Sequence, residues 1–193
     1  MRIVLTVHGY PPTHHAGAER RAARTARGMA ARGHAVCVVC VETLTDDRPG
    51  LRWEDTIEDG VLVRRLFCNF SRMPYASGWE YDNPEIGKIV ARTIEEWRPD
   101  VVHVFSGYLM SASTVSAAIN RRIPVVISLT DYWWLCHRIN LLTPTGARCS
   151  GPTDMGCTRC RAEDRRRFRV PAHVAPRGTA LFWSLADHIS PLR

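Results

Sequence analysis

Short apolar runs rich in β-branched residues alternate along the chain with longer segments whose apolar positions recur at helical spacing. This is the pattern of βαβ units built on a parallel sheet. Residues 3–7 read as the first strand, and a polar loop over 8–16 leads into a helix over about 17–32. That helix carries Ala22, Ala26, Met29 and Ala30 on one face and Arg20, Arg24 and Arg27 on another, and Gly33 stands where a C-terminal cap belongs. Residues 36–41 are continuously apolar, as in a strand covered on both faces. The acidic stretch over 46–59 reads as loop, and 61–67, following Asp59-Gly60, as the next strand. Asn83 and Pro84 form a helix start, with Ile86, Ile89, Val90, Ile94 and Trp97 behind them at helical spacing. Pro99 stops this helix; a strand over 101–105, a helix over 109–120 and a strand over 123–129 follow. From 131 to about 161 the pattern breaks into aromatic, glycine, proline and cysteine residues, the place for a functional loop inserted at a strand's carboxyl end. A last helix is expected over about 179–186. The predicted class is therefore α/β, a Rossmann-like parallel sheet flanked by helices with a Cys-rich loop insertion over about 131–161, in one domain over 1–193.

Composition narrows the functional classes. The chain of 193 residues is 45% hydrophobic and 23% charged, values of a folded globular protein. The apolar start is broken at once by His8, Gly9, Tyr10 and two prolines, which does not suit a secretory leader. No stretch approaches the roughly 20 apolar residues of a membrane span, so a cytoplasmic protein with at most peripheral membrane contact is expected. The net charge of +7 comes from 26 basic residues, of which Lys88 is the only lysine. Arg20, Arg24 and Arg27 at helical spacing suit either a solvated face or an acidic surface or substrate. No recognised nucleic-acid motif accompanies them, and no basic segment is interleaved with stacking aromatics, so no nucleic acid is expected.

Ligands of open α/β sheets bind at the carboxyl ends of strands near the topological switch point, which directs attention to three loops. In the first, Gly17 opens a helix whose free N–H groups and positive dipole end suit a phosphate. The loop is not a dinucleotide fingerprint, which needs three closely spaced glycines, although Glu42 mimics the acid that holds a ribose in that fold. In the second, His103 shares a strand face with Val101 and Phe105 and is either a cleft residue or a packed, hydrogen-bonded one. In the third, Asp131 follows a strand and precedes Tyr132, Trp133 and Trp134; a carboxylate beside aromatic faces suits a sugar, while a turn or cap role is the plainer reading.

The segments that carry these residues resemble glycosyltransferase family 4. His8-Gly-Tyr-Pro-Pro-Thr-His-His-Ala-Gly-Ala-Glu-Arg is similar to its strand-to-helix "P…GGxE" loop. Pro-Asp-Val-Val-His-Val at 99–104 resembles its "PDVVHVH" strand, Leu-Thr-Asp-Tyr-Trp-Trp-Leu-Cys its "L-[HT]-D-[FY]-W-x-L-C" segment, and Ala-Asp-His-Ile-Ser-Pro at 186–191 its exit from the amino-terminal domain. The resemblance implies the amino-terminal, acceptor-side half of a two-domain GT-B enzyme that transfers a hexose from a nucleotide-sugar donor, with retention, to a glycan or lipid-linked acceptor. No catalytic metal is implied. A carboxyl-terminal donor domain, which the chain does not include, would complete the enzyme, so this chain alone is expected to be inactive. Carried over by position, His103 and Asp131 are the catalytic candidates, and Tyr10, Ala16, Gly17, Glu19 and Thr130 the substrate or donor-phosphate candidates. Ala16, Phe105 and Thr130 depart from the family pattern, standing where a glycine and two histidines are common.

Cys37 and Cys40 lie in a strand, where residues three apart face opposite sides, and read as buried packing residues. Cys136, Cys149, Cys157 and Cys160 fall in the irregular insertion, the last two as C-x-x-C. Four thiolates suit a closed tetrahedral zinc site, with an iron–sulfur cluster, reduced packing cysteines and a disulfide as alternatives. The competing functional class is a stand-alone, basic, metal-stapled module that docks on an anionic membrane or nucleic acid.

Overall fold

The computed structural model describes residues 1–43, 45–46, 48, 50–69, 81–163, 168–179 and 181–182. The chain divides into two compact units, Met1–Thr130 and Asp131–Arg193.

The first unit is a six-stranded sheet with β1 (Arg2–Val7), β2 (Ala35–Thr43), β3 (Arg52–Glu58), β4 (Val61–Phe67), β5 (Val101–Val104) and β6 (Val125–Ile127) in the order β3-β4-β2-β1-β5-β6. All neighbours run parallel except β3 and β4. The helices are α1 (Gly17–Ala30), α2 (Pro84–Trp97) and α3 (Ser113–Ile119). A mostly parallel sheet flanked by helices is the class that the alternating pattern predicts.

Strand alternation assigns each apolar residue to a layer. Ile3, Leu5 and Val7, with Val36, Val38, Val61, Val63 and Phe105, join Ala22, Ala23 and Ala26 of α1 in one buried cluster. Three alanines let the helix lie close to the sheet. Gly33 ends α1 at φ +80°, where its N–H reaches the Ala30 carbonyl, as a C-terminal cap does. On α2 the Asn83 side chain accepts from the N–H groups of Glu85 and Ile86, Pro84 takes the first turn, and Arg98 closes the helix at φ +47°. Gly87 is required there, because a Cβ would stand 2.9 Å from Ser113 Cβ on α3.

One element departs from expectation. The acidic stretch over 46–59 is not all loop, because Arg52–Glu58 forms β3, antiparallel to β4. Asp59 and Gly60, at φ +50° and +76°, make the hairpin turn, for which an Asp-Gly pair is a strong signal. The acids of β3 are the partners of two arginines in β4: Asp55 faces Arg64 in register and bonds it, and Glu58 bonds Arg65.

Cys37 and Cys40 lie buried in β2. Burial pushes both thiols up to about 12.

The second unit begins with turns over 131–140, followed by a narrow loop in which Leu142 and Arg148 pair across a bridge. Helices α4 (Asp154–Glu163) and α5 (Arg169–Val174) follow, and residues 176–179 are helical as well. The Cys-rich segment is thus helical, not loop, in its last part: the Thr153 hydroxyl accepts from Gly156 N–H and starts the helix that carries Cys157 and Cys160. His173 of α5 reaches Glu163 of α4 at 2.9 Å and Arg159, one turn back on α4, at 2.6 Å, while Arg159 and Glu163 pair within α4. Of the helix expected over about 179–186, residues 179, 181 and 182 are helical; the remainder and the motif over 186–191 lie outside the described residues.

Candidate functional site

The strand order locates the switch point. From β1 the chain passes to β2 and β4 on one side, then returns to place β5 on β1's other side. A crevice at the carboxyl ends of β1 and β5 is therefore the expected ligand position. Thr6 is in register with Val104, and the loops beyond meet there: the rings of His8 and Tyr108 pack edge to face with centroids 5.5 Å apart.

His8 Nε2 stands 3.0 Å from Glu19 Oε1, in the first turn of α1. Glu19 is only 4% exposed. Its second oxygen, His8 Nδ1 and Thr6 Oγ1 are also buried and have no hydrogen-bond partner among the described residues. Buried polar atoms are seldom left so, which makes this cluster the candidate site. The N-cap residue of α1, Ala16, contributes no side-chain bond, so the first N–H groups of the helix stay available. Nothing lies within 4 Å of where a Cβ on Gly17 would stand. The protein's own packing therefore does not demand this glycine, and the bare backbone leaves room for a ligand.

The loop that leads into α1 is held rigidly from beneath. Gly9 is needed for its lack of a side chain, since a Cβ would fall 2.7 Å from the His14 ring; that ring in turn bonds the Glu42 carbonyl through Nε2 at 3.0 Å. Arg65 donates to the Pro11 carbonyl and to the carboxylates of Glu42 and Glu58 at 2.6–2.7 Å. Burial works against its charge, but the bonds to the two carboxylates raise its pKa overall. Tyr10, expected to touch substrate, is instead 4% exposed within the core cluster, where burial pushes its hydroxyl up to about 12. It anchors the loop. Glu42, which mimics a ribose-holding acid, has its carboxylate engaged by Arg65.

His103 is half-buried, stacked on Phe105 at 4.2 Å and bonded through Nε2 to Ser128 Oγ at 2.9 Å. Burial first, and the charge of Arg21 second, lower its pKa. Thr130 donates its hydroxyl to the Phe105 carbonyl at 2.6 Å, tying the ends of β5 and β6 together. Asp131 opens the second unit, where its carboxylate accepts the Trp133 N–H at 2.9 Å in a local turn.

The structure thus brings Gly17 and Glu19 together with His8, a residue the sequence reading did not single out. The available signal was a histidine directly after β1 with an acid in the first turn of the next helix. Arg65 was missed as well; its signal was an arginine pair inside an apolar strand near Glu42, Asp55 and Glu58.

With this geometry the family match is consistent. Residues 16–151 match the family described as "Glycosyl transferase 4-like domain", and the chain belongs to it. None of the curated proteins compared with the chain matches it. Among the described residues, no helix is long and apolar enough to cross a membrane.

Proposed function

We propose that this chain is the acceptor-side half of a nucleotide-sugar-dependent, retaining glycosyltransferase that moves a hexose onto a glycan or lipid-linked acceptor. A donor-binding half, joined or separate, would complete the cleft, and the chain alone would not turn over. The observation that carries this reading is the open amino terminus of α1 at the switch point, beside the buried His8–Glu19 pair. Sugar transfer releases a nucleoside diphosphate, so a group that stabilises the departing anion lowers the barrier. Free N–H groups at a helix start do this without a metal ion. His8, 3.0 Å from Glu19, holds the first turn of α1 in place behind those N–H groups. In this reading His103 and Asp131 are positioning residues, because each already uses a polar atom to hold a strand end or a turn.

The test is an amide NMR titration of the chain with uridine and guanosine diphosphates and their hexose conjugates. Shifts should appear at His8, Gly17, Ala18 and Glu19 and vanish in Gly17→Val, whose melting temperature should stay unchanged. Perturbations confined to other residues, or none at all, would sink the site. For the two-domain enzyme, an inverted anomeric product would sink the retaining assignment while leaving the donor site intact.

A further inference from the structure

The four cysteines of the second unit line one cavity of about 240 Å³. They reach it from three different elements. Cys136 sits in the turn whose N–H bonds the Tyr132 carbonyl, and Cys149 follows the narrow loop, where its N–H bonds Leu141. Cys157 and Cys160 are one turn apart on α4, and that spacing puts both on one helix face. All four are partly buried, and none of the seven cysteines forms a disulfide.

Two further observations point to an occupant. Gly151, at φ +130°, turns its N–H toward Cys149 Sγ at 3.5 Å. A backbone donor aimed at sulfur stabilises a thiolate, as outer-shell groups do around thiolate-bound metals. The same sulfur lies 3.4 Å from the Gly151 carbonyl, to which a protonated thiol donates. The second observation is how little else holds the unit. Among the described residues after Thr130, the buried apolar side chains are Trp133, Ala162 and Ala172. A segment this short with so small a core ordinarily depends on a cross-link or a metal.

We infer that Cys136, Cys149, Cys157 and Cys160 bind one zinc ion as a tetrathiolate that staples the second unit. Soft thiolates in a closed set of four suit zinc, at Zn–S distances of about 2.3 Å. Binding forms four Zn–S bonds and releases four protons, which leaves a complex of net charge −2; Arg148, on the cavity wall, offsets part of it. Among the described residues no three His, Cys, Asp or Glu side chains already stand together as a metal site. The ion must therefore draw the thiols inward from the cavity wall, and binding and ordering of the unit are one event.

The experiment is metal analysis of the chain purified under reducing conditions, followed by chelation and titration with cobalt(II). About one zinc per chain is expected. Cobalt should saturate at about one equivalent with the strong visible bands of a tetrahedral thiolate site, and its uptake should protect the second unit from protease. Cys157→Ser and Cys160→Ser should abolish uptake, whereas Cys37→Ser and His137→Ala should retain it. The inference is overturned if reduced wild-type protein takes up no metal, or if cobalt gives the weak spectrum of an octahedral oxygen and nitrogen site. It is equally overturned by iron with sulfide in place of zinc, or by loss of binding in His137→Ala. Because the wild-type titration needs no variant, misfolding of a serine variant leaves the test intact.

Discussion

The unit Met1–Thr130 and the unit after it are held by different means. In the first, β1, β2, β4 and β5 contribute buried apolar residues, and β1, at the centre, is buried from Ile3 to Val7. Among the described residues of the second, few apolar side chains are buried, and a polar contact between Glu163 and His173 joins its helices α4 and α5. A sheet that buries both faces stabilises itself through area removed from water, whereas a short, turn-rich segment lacks the area to do so. The comparison teaches that conserving hydrophobicity protects the first unit, whereas the second, on the zinc site inferred above, would depend on four particular side chains.

This contrast can be broken at its strongest point first. Leu5→Ala removes a fully buried side chain from the central strand and should cost about 3 kcal/mol, read from urea denaturation by circular dichroism. A loss under about 1 kcal/mol would mean that β1 is not the centre of the core.

Arg65→Ala tests a polar brace inside the apolar unit. It leaves Glu42 and Glu58 without their cation and frees the Pro11 carbonyl. About 2 kcal/mol of destabilisation is expected, below the full cost of breaking a buried pair because Glu58 is partly exposed. The His14 amide, bonded to the Tyr10 carbonyl, should exchange faster; unchanged exchange would refute the bracing of this loop.

The smallest effect is a pH dependence. His103 titrates below the ordinary value of 6.5, so on acidification the unfolded chain binds a proton before the folded one does. The stability this group contributes is present above about pH 6.5 and is lost as pH falls through its folded value. His103→Gln should flatten the change in urea midpoint between about pH 7 and pH 5 by less than about 1 kcal/mol. An identical pH dependence in wild type and variant would contradict it.

Most of the first unit was legible because its signals are local. Ile86, Ile89, Val90 and Ile94 repeat at helical spacing behind a capping Asn83 and a proline, and Cys37 and Cys40 follow strand alternation to opposite faces. β3 was not legible from hydrophobicity because it is an edge strand whose acids answer Arg64 and Arg65 on the neighbouring strand, a relation visible only once the hairpin is formed. The site divides in the same way. Gly17 and Glu19 could be read from the loop, but the His8–Glu19 pair and the burial of Tyr10 depend on how the loop folds back over β1 and β2. The helical placement of Cys157 and Cys160 was hidden because α4 has no apolar stripe.

β3 also governs how the molecule meets its own copies. A sheet ends in two rows of backbone groups that seek a partner, and an unguarded row templates aggregation. Here one border carries Glu54, Asp55 and Glu58, charged side chains that edge-to-edge pairing with a second chain would have to bury. The opposite border, β6, is only three residues long, too short to offer an extended row. A protein with so apolar a central sheet can therefore remain dispersed at concentrations where an unprotected sheet would stack, because its boundaries, not its interior, decide its colloidal behaviour.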